Sequence, residues 1–343
     1  MDRRFFLRAS AALALAAPSV SARAQGVGAL EKKDIALGVG GKSVLYYLPL
    51  TIAERLGYFK EQGLSVEIAD LAGGGKVLQS LMGGSTEVGV SSYDTTIRMQ
   101  AKGQDVRAVI ELGRFPGIAL GIKKTKAASV KTAADLKGLK IGVSGPGSLT
   151  HYFVNYLMAK AGGNPKDAII IGVGTGQAAV AAIEKGELDA MCNAEPILSK
   201  LEADGEIDIF ADARTEAGTQ AIFGHSVPAA AVYFKNAFIE ANPNTVQALV
   251  NAFYKSLRWI EQASPETIAE TVPKEYLLGD RALYLRAVAA SKESYSRTGI
   301  VPDSGRQSAL DLLAQSEPDF AKANIDLAKT FDDRFVKVAQ ARF

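Results

Sequence analysis

From Ile35 to Phe210 short β-runs alternate with helix faces, and the alternation comes round twice. Ile35–Val39, Leu64–Ala69, Val88–Val90 and Val106–Leu112 read as strands. Helix faces marked by Leu50, Ala53 and Leu56, and by Val77, Leu78, Leu81 and Met82, separate the first three. Leu139–Val143, Ala168–Val173, Leu188–Cys192 and Ile207–Phe210 repeat the scheme, with helices after Phe153 and over Ala178–Lys185. A β-α-β-α-β order predicts an α/β architecture of mostly parallel sheets flanked by helices. The two rounds share one spacing. Gly84-Ser85-Thr86-Glu87-Val88 and Gly186-Glu187-Leu188-Asp189-Ala190 lie 102 residues apart, and the same step relates Gly74 to Gly176 and Ser91 to Asn193. One offset serving several features predicts two similar lobes. Strand-like Ile118–Ile122 and Val227–Phe234 fall where the chain passes between them, so two crossings form a hinge. The expected layout is a first part of lobe 1 over 25–115, lobe 2 over 116–226, and a hinge return with C-terminal helices completing lobe 1 over 227–343. Pro243 and Pro265 bracket one of those helices; others are expected over Arg281–Ser294, Gly305–Leu313 and the C-terminus.

Residues 1–24 read as an export signal. Arg3, Arg4 and Arg8 precede an apolar run, Leu7 to Ala17, that is too short to span a bilayer, and Ala22-Arg23-Ala24 supplies a cleavage site before Gln25. Arg3-Arg4-Phe5-Phe6-Leu7-Arg8 resembles a twin-arginine signal; an ordinary secretory signal fits as well. The expected location is the periplasm. One cysteine, Cys192, rules out an internal disulfide and a cysteine-built metal centre, and two histidines leave little for a His-based one. No metal or cofactor is expected. Lys+Arg 39 against Asp+Glu 37 gives no basic stripe for nucleic acid.

Three motifs lose their first reading. Gly41-Lys42-Ser43 fits a relaxed nucleotide loop, but Pro49 would stop a helix begun at Lys42, and an exported protein meets little ATP. Gly172-Val173-Gly174-Thr175-Gly176 has the wrong dinucleotide spacing, and Gly142-Val143-Ser144-Gly145-Pro146 misses the nucleophile elbow. What persists is a set of strand ends carrying Gly, Ser, Thr or Asn just before a helix. In parallel sheets ligands bind there, where free amides and the positive end of the helix dipole point. The candidate ligand-binding residues are Lys42, Tyr46, Tyr47, Gly74, Gly75, Ser91, Ser92, Tyr93, Arg114, Ser144, Ser148, Thr150, His151, Thr175, Gln177, Asn193 and Glu195. Each hydroxyl alone also fits helix capping, each aromatic also fits core packing, and Arg114 also fits a hinge ion pair. No acid–base pair is spaced for catalysis, so no catalytic residue is assigned.

The stretch Pro49-Leu-Thr-Ile-Ala53-Glu-Arg-Leu-Gly57-Tyr58-Phe59-Lys60-Glu61-Gln-Gly63-Leu64 resembles the opening of substrate-binding proteins of nitrate, sulfonate and taurine ABC importers, the SsuA/THI5-like group. Ala134-Asp135-Leu136-Lys137-Gly138-Leu139-Lys140-Ile141-Gly142-Val143, Gly186-Glu-Leu-Asp189-Ala190 and Glu195-Pro196 are similar too. Glu87 departs from the group's aspartate but keeps the acid. The resemblance implies a two-lobed type II periplasmic binding protein, not an enzyme. It would be a monomer that closes on a small organic anion, a sulfonate or carboxylate with an apolar or aromatic body, and docks on an inner-membrane ABC permease. A binder of a pyrimidine or other vitamin precursor and a ligand-presenting sensor are the alternatives. A thiamine-pyrimidine synthase is a remote one, since only Cys192 stands where that enzyme group has a cysteine-rich run.

Overall fold

The computed structural model describes residues 28–316, 320 and 323–343. The export signal expected over 1–24 lies outside the described residues. Ten strands form two five-stranded sheets. They are β1 (Asp34–Val39), β2 (Ser65–Asp70), β3 (Val88–Ser92), β4 (Val106–Glu111), β5 (Ile118–Lys123), β6 (Lys140–Val143), β7 (Ile169–Gly172), β8 (Ala190–Ala194), β9 (Ile207–Ala213) and β10 (Ala230–Lys235). The sheet orders are β2-β1-β3-β10-β4 and β7-β6-β8-β5-β9, the same pattern twice.

Each sheet contains one reversed strand. β1 runs parallel to β2 and β3, and β6 to β7 and β8, whereas β10 and β5 run antiparallel to both their neighbours. The cause is the crossing. β5 is the first strand after the chain leaves β4, and β10 the first after it leaves β9. A chain that leaves one sheet at its carboxyl edge and enters the facing sheet at that sheet's carboxyl edge must run against the strands already there. The crossings lie side by side: Ala229 N–H donates to Gly113 O (2.9 Å), Gly113 N–H to Ala230 O (3.1 Å), and Ser226 Oγ to Arg114 O (3.0 Å).

The repeated acids explain their own spacing. Glu87 accepts the Ala36 amide proton on its carboxylate (2.8 Å) and donates its own N–H to Ala36 O (2.9 Å). Asp189 does the same to Lys140, at 3.0 and 2.8 Å. In each lobe an acid at the start of the third strand thus pins the register of the first, which Glu and Asp do equally well.

Pro49 sits in the first turn of a helix over Leu48–Arg55, where its missing N–H costs nothing. The long helix Pro243–Gln262 packs its buried face on that helix and on the terminal helix Arg334–Arg342. Two C-terminal helices reach beyond the first sheet's lobe. Asp303–Ser316 packs on both Asp94–Ala101 and Leu149–Lys160, and Arg281–Ser291 touches Ile197–Ala203. No helix among the described residues is long and apolar enough to cross a membrane.

Candidate ligand cavity between the lobes

The carboxyl ends of the two sheets face each other across a small cavity of about 30 Å³. Gly40, Val44, Tyr46, Tyr47, Gly74, Ser91 and Ser92 line it from one lobe, and Ile118, Ser144, Ser148, Leu149, Thr150, Thr175, Asn193 and Ala194 from the other. Two helices begin here, Gly74–Gly83 and Leu149–Lys160, so unpaired first-turn amides converge from both sides. Three hydroxyls are wired together: Thr150 Oγ1 accepts from the Ser144 amide (3.1 Å) and lies 3.0 Å from Ser144 Oγ and 2.8 Å from Ser148 Oγ. Burial pushes the Tyr46 and Tyr47 phenols well up, so both stay protonated. The Tyr46 hydroxyl is buried without a partner. No charged side chain is among the lining residues.

Ten of the sequence candidates therefore line the cavity: Tyr46, Tyr47, Gly74, Ser91, Ser92, Ser144, Ser148, Thr150, Thr175 and Asn193. The other seven do not, each for a local reason. Lys42 folds its ammonium back onto Glu54 (2.6 Å). Tyr93 turns inward, fully buried, and meets Thr330 Oγ1 at 2.5 Å. Gly75 faces the Pro146 carbonyl of the opposite lobe. Arg114 pairs with Glu216 at the crossing (2.7 Å). His151 stacks on Tyr152, and its Nδ1 accepts the Gly147 amide proton (3.0 Å). Burial and Arg98 hold it below the ordinary imidazole range, so it brings no positive charge. Gln177 is exposed. Glu195 binds Arg214 (2.7 Å), while its carbonyl accepts from Leu45 N–H across the lobes (2.8 Å).

The candidate residues did not include Gly40, Val44, Leu149 and Ala194, which lie in or beside the strand-end loops, or Ile118 at the start of β5. Nor did they include Lys76, at the rim of a wider groove of about 510 Å³ between Ala72–Gly73 and Ser144–Pro146. The lobes already touch. Ser43 Oγ donates to Thr175 O (2.9 Å), and Arg98 donates to Tyr152 Oη (3.1 Å). Cys192 is buried in β8, where desolvation pushes its thiol far up and keeps it unreactive.

At the back of the hinge Glu111 is 3% exposed. Burial raises its carboxyl from 4.5 to about 8, against the smaller opposing pull of Ser296 and Arg114. Between those values the folded state keeps a proton that the unfolded state has released. Stability therefore falls as pH rises across that window, by up to about 1.4 kcal/mol per pH unit, and levels off above it. Urea midpoints across that window should show this slope, and Glu111→Gln should flatten it; an unchanged slope would refute the assignment.

The NMT1/THI5-like family model matches residues 45–267. The chain belongs to that family. Among its relatives, the nitrate/nitrite binding protein NrtA of Nostoc is 25% identical over 238 residues, 63% of this chain and 51% of that protein. The chain thus spans about half the length of that relative. A solved protein of Bordetella bronchiseptica RB50 is 45% identical, with TM-score 0.90 over 92% of this chain and 99% of that one. The alkanesulfonate-binding protein SsuA of Xanthomonas axonopodis pv. citri, bound to MOPS, gives TM-score 0.68 at 19% identity over 89% of this chain and 100% of that one. Within the NMT1/THI5-like family this chain has the periplasmic binding protein fold. Its curated relatives include binding proteins such as NrtA and, over a shorter stretch, a 4-amino-5-hydroxymethyl-2-methylpyrimidine phosphate synthase of Saccharomyces cerevisiae, 31% identical over 101 residues, 29% of this chain and 29% of that protein.

Proposed function

We propose that the protein is the extracytoplasmic solute-binding component of an ABC importer, and that it captures a small organic anion by closure of its two lobes. The observation that carries this is the meeting of two helix N-termini, one per lobe, over a cavity lined by hydroxyls and by an unpartnered Tyr46 Oη, with no carboxylate among the lining groups. Such a site offers donors and partial positive charge without a fixed cation, which suits a sulfonate or carboxylate head. Val44, Ile118, Leu149 and the tyrosine rings supply an apolar side for its body. Donors come from both lobes, so full binding energy is gained only when both close, and the ligand shifts the protein toward that state. The chemistry is capture. His151 spends its ring nitrogens on the Gly147 amide and Asn155 rather than on a serine hydroxyl, so the serines have no base beside them. The closed shape is what an inner-membrane permease would read.

The test is a thermal-shift panel of sulfonates, carboxylates, nitrate and pyrimidines on the mature protein. One anion class should stabilise it, by about 2.7 kcal/mol at a hundredfold excess over Kd, with no turnover. A response to pyrimidines alone would overturn the anion reading in favour of a vitamin-precursor binder. Silence across the panel would overturn both.

A further inference from the structure

Another cavity, of about 260 Å³, lies at the hinge, apart from the hydroxyl-lined cavity of about 30 Å³ and the wider groove of about 510 Å³ between the lobes. Both crossings build it. Glu111 and Arg114 come from the first, His225, Ser226 and Pro228 from the second, and Ser304 and Ser308 from the helix Asp303–Ser316. Its polar lining is nearly all acceptor. Glu111 commits Oε2 to Ser296 Oγ (2.6 Å), while Oε1 is buried without a partner. Ser226 has already given its proton to Arg114 O (3.0 Å), and Ser308 has given its own to Ser304 O (2.8 Å), so both oxygens present lone pairs only. His225 Nδ1 is buried and unpartnered, and is a further acceptor when the ring is protonated at Nε2. The one cation, Arg114, is held by Glu216 (2.7 Å) and by Glu293 O (2.7 Å).

We infer that this hinge cavity is a second ligand site, and that it takes a small organic ammonium ion. An ammonium brings three donors to a lining rich in acceptors, whose own cation, Arg114, is already held by Glu216 and Glu293 O, and Pro228 and Pro302 give its carbon chain an apolar wall. In the empty site Glu111 keeps its proton because burial disfavours the bare carboxylate. The arriving cation displaces that proton to solvent, so at neutral pH binding releases up to one proton. Because both crossings line the cavity, an ammonium there ties the hinge, and its binding is coupled to closure of the lobes. The inference does not depend on what the cavity between the lobes binds.

Calorimetry on the mature protein with methylammonium, ethylammonium and ethanolammonium, and with propionate and ethanol as controls, tests it. At least one ammonium should bind in the millimolar range or tighter, and heats in two buffers of different ionisation enthalpy should report proton release. Glu111→Gln should weaken binding about tenfold or more, and Ser308→Ala, a milder change, by a few-fold. Absence of ammonium binding, equal binding to Glu111→Gln, or equal binding of propionate would each overturn the proposal.

Discussion

Gly75→Ala will lose most of its ligand affinity while folding as well as the parent. Gly75 lies in the first turn of the helix Gly74–Gly83, outside the left-handed region, where alanine is the better helix former. Nothing within its own lobe opposes a methyl group. A Cβ built at Gly75 would instead intrude on the Pro146 carbonyl oxygen of the facing lobe. That atom is backbone, and it follows Gly145 in a strand-end loop packed against Gly73, so it cannot swing aside as a side chain would. The clash exists only when the lobes are together. Overpacking of this kind costs about 1–3 kcal/mol, which lowers affinity by about 5- to 150-fold. Urea midpoints should be unchanged or slightly raised, the thermal shift from the ligand found in the panel should shrink, and X-ray scattering should show a larger radius of gyration.

The repeat provides the control. Gly176 stands where Gly74 stands in the other lobe, beside a helix start, yet a Cβ there meets nothing within 4 Å and its φ is −122°. Gly176→Ala should bind like the parent. If both alanine variants bind alike, the glycines are there for chain flexibility, and the seam between the lobes is not what limits closure.

That contrast shows how far the sequence reaches. The strands, their order and the doubled design follow from local apolar runs and from one offset, because a parallel sheet writes itself into continuous short segments. Glu87 and Asp189 were legible as a repeated acid, and the structure supplies their task of clamping the neighbouring strand. The loops at strand ends were legible too, since glycine and hydroxyl residues cluster there. Which residue in a loop faces inward was not. Tyr93 follows Ser91 and Ser92 in the chain but points the opposite way, because its partner Thr330 arrives from 237 residues later. Gly74 and Gly75 look equivalent, yet one lines the cavity and the other meets the far lobe. Lys42 looked like a ligand cation until Glu54, twelve residues on in the helix Leu48–Arg55, took it. Such choices are settled by contacts distant in sequence, and no local pattern carries them.

Arg98 is the case where the spacing was visible and its weight was not. Asp94 and Arg98 stand four apart on the helix Asp94–Ala101, which by itself suggests an ordinary surface pair. Here both are buried, with side chains 4% and 7% exposed, joined at 2.8 Å. Arg98 further donates to Thr95 Oγ1 (3.2 Å) and, across the lobes, to Tyr152 Oη (3.1 Å). Burial works against its charge, and Asp94 more than offsets that and keeps the guanidinium protonated. Asp94 has only one oxygen paired, and Arg98 is the partner that pairs it. Arg98→Met should therefore lose about 3–5 kcal/mol, because it strands a buried carboxylate rather than because the pair itself is strong. The double variant Asp94→Asn/Arg98→Met removes the stranded charge and should recover most of that loss. Urea unfolding of the parent, both single variants and the double variant gives the coupling energy directly. If the double variant is no more stable than Arg98→Met, the penalty is lost packing and the bond to Tyr152, and the pair would then serve to hold the lobes together rather than to neutralise Asp94.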